Sequence, residues 1–221
     1  MSSEILGAQG GATRNPFNYS KVEQLNRDVV TPWLTLDEIT QQLNLFDDES
    51  QDTYLSSLEL ATRFAIEDYL GMSIFSMTYR VWYGAQGTIT APMALDLPAI
   101  SQNLYPTQAG ITINSVGYYN NSAPPTLTLL TASTYYYDAS GNRVILTSLP
   151  TITSDMANPI VVQYTTAPNP LQTYPAIKQA GLLLLTHLYN SRSMVGDTVG
   201  IKAEIPFGFT TLLRPYKELV M

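Results

Sequence analysis

The sequence predicts an α+β fold: a small helical bundle, made of an N-terminal helical hairpin and one C-terminal helix, with an inserted antiparallel β region and an extended C-terminal tail. Three observations predict it. A capping-box pattern opens an amphipathic helix near Thr35. From Met77 to Thr166 the chain is rich in Tyr, Thr, Val and Ile, alternates with period two, and is broken by Gly and Pro. At Pro175 a proline then starts a second, strongly apolar helical pattern.

Taken in order, residues 1–32 are polar and Gly-rich, with Gly7, Gly10, Gly11 and Asn15-Pro16, and read as a flexible arm. A central domain is expected over 33–192. Its first helix runs over 35–45. Thr35 and Glu38 each satisfy an orphan amide at the start, Leu34 and Ile39 form a hydrophobic staple, and Asp37 and Glu38 suit the positive end of the helix dipole. Phe46–Asp52 reads as an acidic turn, with Asp48 and Gln51 as candidate caps for a second helix over 49–70. That helix carries Tyr54, Leu58, Ala61, Ala65 and Tyr69 on one apolar face, widened by Leu55, Thr62 and Ile66, and Gly71 terminates it. Glu67 and Asp68 read as exposed positions near its end.

The β region spans 77–166. Thr78–Tyr83, Ile111–Tyr119 and Ile160–Tyr164 alternate as strands, and Leu127–Thr131, Tyr135–Asp138 and Val144–Thr147 are shorter candidates. Ser140-Gly141-Asn142 reads as a hairpin turn between the last two. The third helix, over 175–192, puts Ile177, Gly181, Leu184 and Leu188 on one face and Leu182, Leu185 and Tyr189 on another. A helix apolar nearly all round needs cover nearly all round. That cover is either a neighbouring subunit, with Leu182, Leu185 and Tyr189 at the interface, or the domain's own bundle. Residues 193–221 read as a linker and a docking tail, apolar and flanked by Pro206 and Pro215.

Composition narrows the chemistry. The 221 residues contain 45% hydrophobic and 13% charged side chains. So little charge, against about a quarter in an ordinary soluble domain, means either a surface covered by partners or one rich in Ser, Thr, Asn and Gln. There is no cysteine and a single histidine, His187. Disulfides, Cys-ligated zinc, thiol nucleophiles and multi-His metal sites are excluded. Eleven Lys and Arg against eighteen Asp and Glu give a net charge of −7, so specific DNA binding through phosphate contacts is not expected. No phosphate-binding, dinucleotide-binding, zincin or nucleophile-elbow motif is present. The acidic run Asp47, Asp48, Glu49, Asp52 lacks the ligand spacing of a calcium loop. No cofactor, metal or catalytic residue is expected. No apolar run is long enough to span a bilayer, and the start of the chain lacks a signal-peptide pattern, so a cytoplasm, or a particle assembled in one, is the expected setting.

Four segments, in order, resemble a known family. Trp33-Leu34-Thr35-Leu36-Asp37-Glu38 is similar to its W-L-T-L-x-E opening. Ala61-Thr62-Arg63-Phe64-Ala65-Ile66-Glu67-Asp68-Tyr69-Leu70-Gly71 is similar to its A-x-x-x-I-E-x-Y-x-G helix end. Pro175–Ala180, Leu182–Leu185 and Tyr189-Asn190-Ser191-Arg192 resemble its third helix. Ile205-Pro206-Phe207-Gly208 with Leu212-Leu213-Arg214-Pro215-Tyr216-Lys217 resembles its ending. The resemblance is to the head–tail connector (adaptor, head-completion) proteins of tailed bacteriophages, of the gp6-like and gp8-like type. The longer arm before Trp33 and the stretch from Ala99 to Ile113 depart from that pattern.

The resemblance implies a non-enzymatic virion protein of the neck. It implies a homo-oligomeric ring, usually dodecameric, between the portal protein and a neck or tail protein below. It implies that double-stranded DNA passes through the channel without specific binding. It also implies that the C-terminal segment docks on the portal through Phe207, Phe209, Leu212, Leu213, Pro215 and Tyr216, because a few buried anchors carry most binding energy. The alternative is an accessory ligand- or carbohydrate-binding module that uses the Tyr-rich β region, with Tyr118 and Tyr136 as stacking residues. A packaging nuclease is disfavoured, since no carboxylate cluster with Lys or His is visible.

Overall fold

The helix predicted at Thr35 forms as its capping box dictates. The Glu38 amide donates to Thr35 Oγ1 (3.3 Å) and the Thr35 amide donates to Glu38 Oε2 (3.1 Å). Helix α1 covers Leu36–Leu43 and ends on Asn44 in the left-handed region, at φ 57°. These details come from a computed structural model of the chain, which describes residues 18–46, 49–71, 73–84, 91–98, 110–148, 150–168, 174–191 and 207–217. The fold class is α+β, with four helices and eight strands among the described residues.

A 3-10 turn, Glu49–Gln51, leads into helix α2, Asp52–Leu70. Gln51 sits at the cap position but makes no side-chain cap, and Asp48 lies outside the described residues. Gly71 closes the helix at φ 74°, a conformation that suits a residue without Cβ. Helix α3 covers Pro175–Asn190 with proline in its first turn. Helix α4 covers Phe207–Leu213 and continues into a 3-10 turn, Arg214–Tyr216, where an extended tail is expected from the sequence.

Between these helices lie the strands: β1 (Tyr19–Leu25), β2 (Thr78–Tyr83), β3 (Met93–Asp96), β4 (Ile111–Tyr119), β5 (Leu127–Leu129), β6 (Tyr135–Asp138), β7 (Arg143–Leu146) and β8 (Ile160–Thr166). All paired strands are antiparallel, in a five-stranded sheet ordered β1-β2-β8-β4-β5 and a three-stranded sheet ordered β3-β7-β6. Two strands, β1 and β3, escape the sequence reading. The expected arm 1–32 in fact contributes β1, which pairs with β2 across the whole helical hairpin between them.

The chain divides into two compact units, one holding all eight strands and the other all four helices. In the β unit the alternation does what period two requires. Tyr79, Val81 and Tyr83 of β2 face Tyr164, Val162 and Ile160 of β8 in register, all buried, with Tyr79 and Tyr164 stacked at 5.4 Å. Met93, Leu95, Val144 and Leu146 of the smaller sheet join the same core. Tyr83 Oη donates to the Asp96 carbonyl at 2.8 Å, and Asn18 bonds β3 at Ala94 O and Asp96 N, tying one sheet to the other. The predicted turn forms: Asp138 Oδ1 accepts from the Ser140 amide (2.9 Å), and Asn142 adopts φ 48°.

The helical unit has its own core, built on Trp33, Leu34, Ile39, Leu55, Ile66 and Leu70 with residues of α3 and α4. Gly181 of α3 lies against the Trp33 ring; a Cβ there would meet that ring at 2.6 Å, so only glycine fits. An ion pair between Lys178 and Glu38 joins α3 to α1.

Helix α2 corrects the sequence reading. Its buried face is Leu55, Glu59, Thr62, Arg63, Ile66, Glu67 and Leu70, whereas Tyr54, Ala61 and Ala65 are exposed. The inward face is therefore the one read as merely widening the stripe. It was hidden because three of its positions, spaced four apart, are charged.

Candidate docking surfaces

The functional candidates are surfaces. Among the described residues, no three His, Asp or Glu side chains stand close enough together to hold a metal ion. His187, on α3, is half-buried. No helix among the described residues is long and apolar enough to cross a membrane.

The C-terminal segment is the first predicted surface, and the structure redistributes its residues. Phe209 and Leu213 are buried in the core of their own helical unit. Their spacing of four puts both on the inward face of α4, with Phe209 against Tyr69 at 5.8 Å between ring centres. Leu212 is half-buried against the same core. Tyr216 packs edge-on against Tyr174 at 5.4 Å, and Lys217 Nζ lies 4.6 Å above the Tyr69 ring. Pro215 is exposed. The side chain of Phe207 lies outside the described residues. So Phe209 and Leu213 are not open anchors in this conformation: they hold the helix down against the core of its own unit.

The second predicted surface, on α3, divides in the same way. Leu185 is fully buried in the unit's own core, which corrects its reading as an interface residue. Leu182 and Tyr189 are half-buried and pack at the margin of that core, and Tyr189 Oη bonds Gln51 Oε1 at 2.9 Å. The cover this helix needs comes largely from α2 and α4.

The structure adds a surface that the sequence does not announce. A groove of about 750 Å3 runs between the segment 29–37 and the first half of α2, with Val29, Val30, Pro32, Leu36 and Leu60 among its lining. Its charged lining residues are Asp37 and Glu59, both acidic. The rim is built by buried charges. Glu59 Oε1 accepts from the amides of Trp33 (2.8 Å) and Leu34 (3.3 Å). Arg63, 0% exposed, donates to Thr31 O (2.6 Å) and Asp28 O, with its guanidinium 4.9 Å from the centre of the Phe75 ring. Glu67, which the sequence reads as exposed, is buried and accepts from the Ile74 amide at 2.8 Å. Above them, Asp28 Oδ1 accepts from the amides of Thr31 and Val30, both at 2.9 Å. The Thr31 amide and hydroxyl, followed by the Val30 amide, hold the Asp28 carboxyl down at about 2. The segment 28–34 is thus gripped from beneath and capped from above, while Val30 is left 87% exposed.

The Tyr-rich β region offers a less coherent site. Tyr118 is half-buried on β4 and Tyr136 exposed on β6, so the two proposed stacking residues stand in different sheets.

No family model and no curated protein matches the sequence. Solved structures do match. A chain in the neck of an empty gene transfer agent particle, computed with C6 symmetry, has a TM-score of 0.61 at 19% identity, covering 91% of this chain and 97% of that one. A chain in the virion of a native gene transfer agent particle has a TM-score of 0.52 at 16% identity, with the same coverage of 91% and 97%. At such identities the likeness is one of fold, and it runs over nearly the whole of each chain.

Proposed function

We propose that this chain is a structural, non-enzymatic subunit of the neck of a phage-like particle. In this reading it is a head–tail connector that forms a ring between the portal and the neck or tail protein below. The observation that carries it is the nearly full-length fold likeness to a chain of a gene transfer agent neck. The ordered motifs from Trp33 to Lys217 support the same reading. A neck computed with sixfold symmetry is a cyclic assembly, and a ring of twelve copies is compatible with it. The net charge of −7 suits a channel through which DNA moves without being held. The portal meets the outer side of the C-terminal helix, at Pro215 and the open edges of Leu212 and Tyr216, with Phe207 as a further anchor. Phe209 and Leu213 act from behind by keeping that helix seated.

The test is binding to the portal protein of the same particle, imaged by negative stain. Rings of this chain capping the portal are expected. Pro215→Glu combined with Tyr216→Ser should remove them while leaving the circular dichroism spectrum unchanged. A portal left bare by the unaltered chain contradicts the connector reading.

A further inference from the structure

The five-stranded sheet has two edges, and they are built differently. At one edge, β1 carries Lys21 and Glu23, which pair with each other, and a bulge between Tyr19 and Lys21. Charge and bulging are the ordinary means of keeping a sheet edge from pairing with another chain. At the other edge, β5 has neither. Leu127 and Leu129 project from it, and Leu129 is 62% exposed. In an antiparallel ladder alternate residues also turn their amide and carbonyl groups away from the partner strand, so among the described residues this edge presents outward-turned backbone as well as leucine. The edge lies within residues 97–137, a run of 41 positions without a single Asp, Glu, Lys or Arg, in a chain that is 13% charged. Loss of charge is the compositional mark of the buried centre of a protein interface.

The groove of the helical unit has the complementary properties. Val29 and Val30 are held outward at its rim by Asp28 and Arg63, so the apolar edge is preorganised and its ordering cost is already met. Its charged lining residues, Asp37 and Glu59, are both acidic. An acidic surface is repelled there, which excludes much of a chain carrying −7. The uncharged β5 edge brings no like charge against those carboxylates.

We propose that the β5 edge of one copy, led by Leu127 and Leu129, seats in the groove beside Val29 and Val30 of the next copy. The two surfaces are different, so the contact is heterologous and each copy keeps one free surface of each kind. Repeated, such a contact closes a ring or runs on as a filament. Ring closure rests on the neck reading above. The contact itself does not.

Because the chain has no cysteine, introduced thiols report the contact cleanly. Full-length Val30→Cys and Leu129→Cys are prepared separately, mixed, and oxidised mildly. The mixture should give the mixed disulfide dimer at least tenfold above either variant alone. Leu129→Asp, at a largely exposed position, should keep the thermal unfolding profile and weaken self-association at least tenfold by analytical ultracentrifugation. Equal cross-linking of each single variant with itself overturns the pairing, as does oligomer formation without the mixed disulfide. A chain that stays monomeric at the highest attainable concentration also overturns it. In each of those cases, rings still seen on the portal leave the connector reading standing and remove only this contact.

Discussion

The two units of this chain meet one requirement, a dry interior, with different materials. Among the described residues the β unit buries threonine as its polar contribution, at Thr153 and Thr166, and otherwise buries aliphatic, methionine and tyrosine side chains. The helical unit buries Glu59, Arg63 and Glu67 on a single face of α2. Those charges are tolerated because each is bonded to backbone that would otherwise be unpaired: the amides of Trp33, Leu34 and Ile74 and the carbonyls of Asp28 and Thr31. A side chain's place is set by what it can be paired with as much as by its hydropathy. In the β unit the two criteria agree; in the helical unit they part.

The largest expected effect breaks that comparison at its centre. Arg63→Ala removes a buried cation and orphans two carbonyls, and should cost about 2–6 kcal/mol, at about 1–3 for each orphaned acceptor. Leu146→Ala, a fully buried apolar deletion in the β unit, should cost about 2–5 kcal/mol. The two tryptophans make the test separable, since Trp33 lies in the helical unit and Trp82 on β2. Urea unfolding followed by Trp33 fluorescence in a Trp82→Phe background reports the first unit, and the reciprocal background reports the second. An Arg63→Ala cost below about 1 kcal/mol would mean the buried charges are not holding the segment 28–34.

Next in size is the C-terminal helix. Leu213 is fully buried, so Leu213→Ala should cost about 2–4 kcal/mol at the Trp33 transition and leave the Trp82 transition in place. For the same reason, deleting the chain from Ile205 onward tests stability before it tests docking. A variant with an unchanged Trp33 transition would restore the tail as a free anchor.

The smallest effect is a pH dependence. Asp28 titrates at about 2 in the folded chain against an ordinary 3.8. The unfolded chain therefore holds more protons at Asp28 over that interval, and stability rises with pH. The contribution is fully present above about pH 4 and is lost as the pH falls through about 2. Asp28→Asn should flatten the acid limb of stability against pH for the helical unit alone, a small change because the carboxyl is open to solvent. An unchanged acid limb would show that the capping of Val30 and Thr31 adds nothing to the fold.

These differences also explain what the sequence could disclose. The capping box at Thr35, the turn at Ser140–Asn142 and the proline start at Pro175 are local, and each formed where it was read. The alternating strands were legible because their two faces differ. Strand β1 was not, since Tyr-Ser-Lys-Val-Glu-Gln-Leu is a polar edge whose partner begins at Thr78, beyond the entire hairpin. The true inward face of α2 was masked by its charges. Phe209 and Leu213 have helical spacing, but the flanking prolines favoured an extended tail. Of the candidate surfaces, the tail was visible as an apolar segment, whereas the groove was not. Its rim, Val29-Val30, lies in a stretch read as an arm and takes shape only when Arg63, far along the chain, grips the backbone beneath it.

The proposed connector role is tested most directly in the particle itself, by electron cryomicroscopy of particles assembled with and without this chain. Filled or empty heads lacking attached tails are expected when the chain is absent. When it is present, a ring should appear beneath the portal into which the helical and β units fit. Complete necks and attached tails in its absence would show that this chain is not the connector.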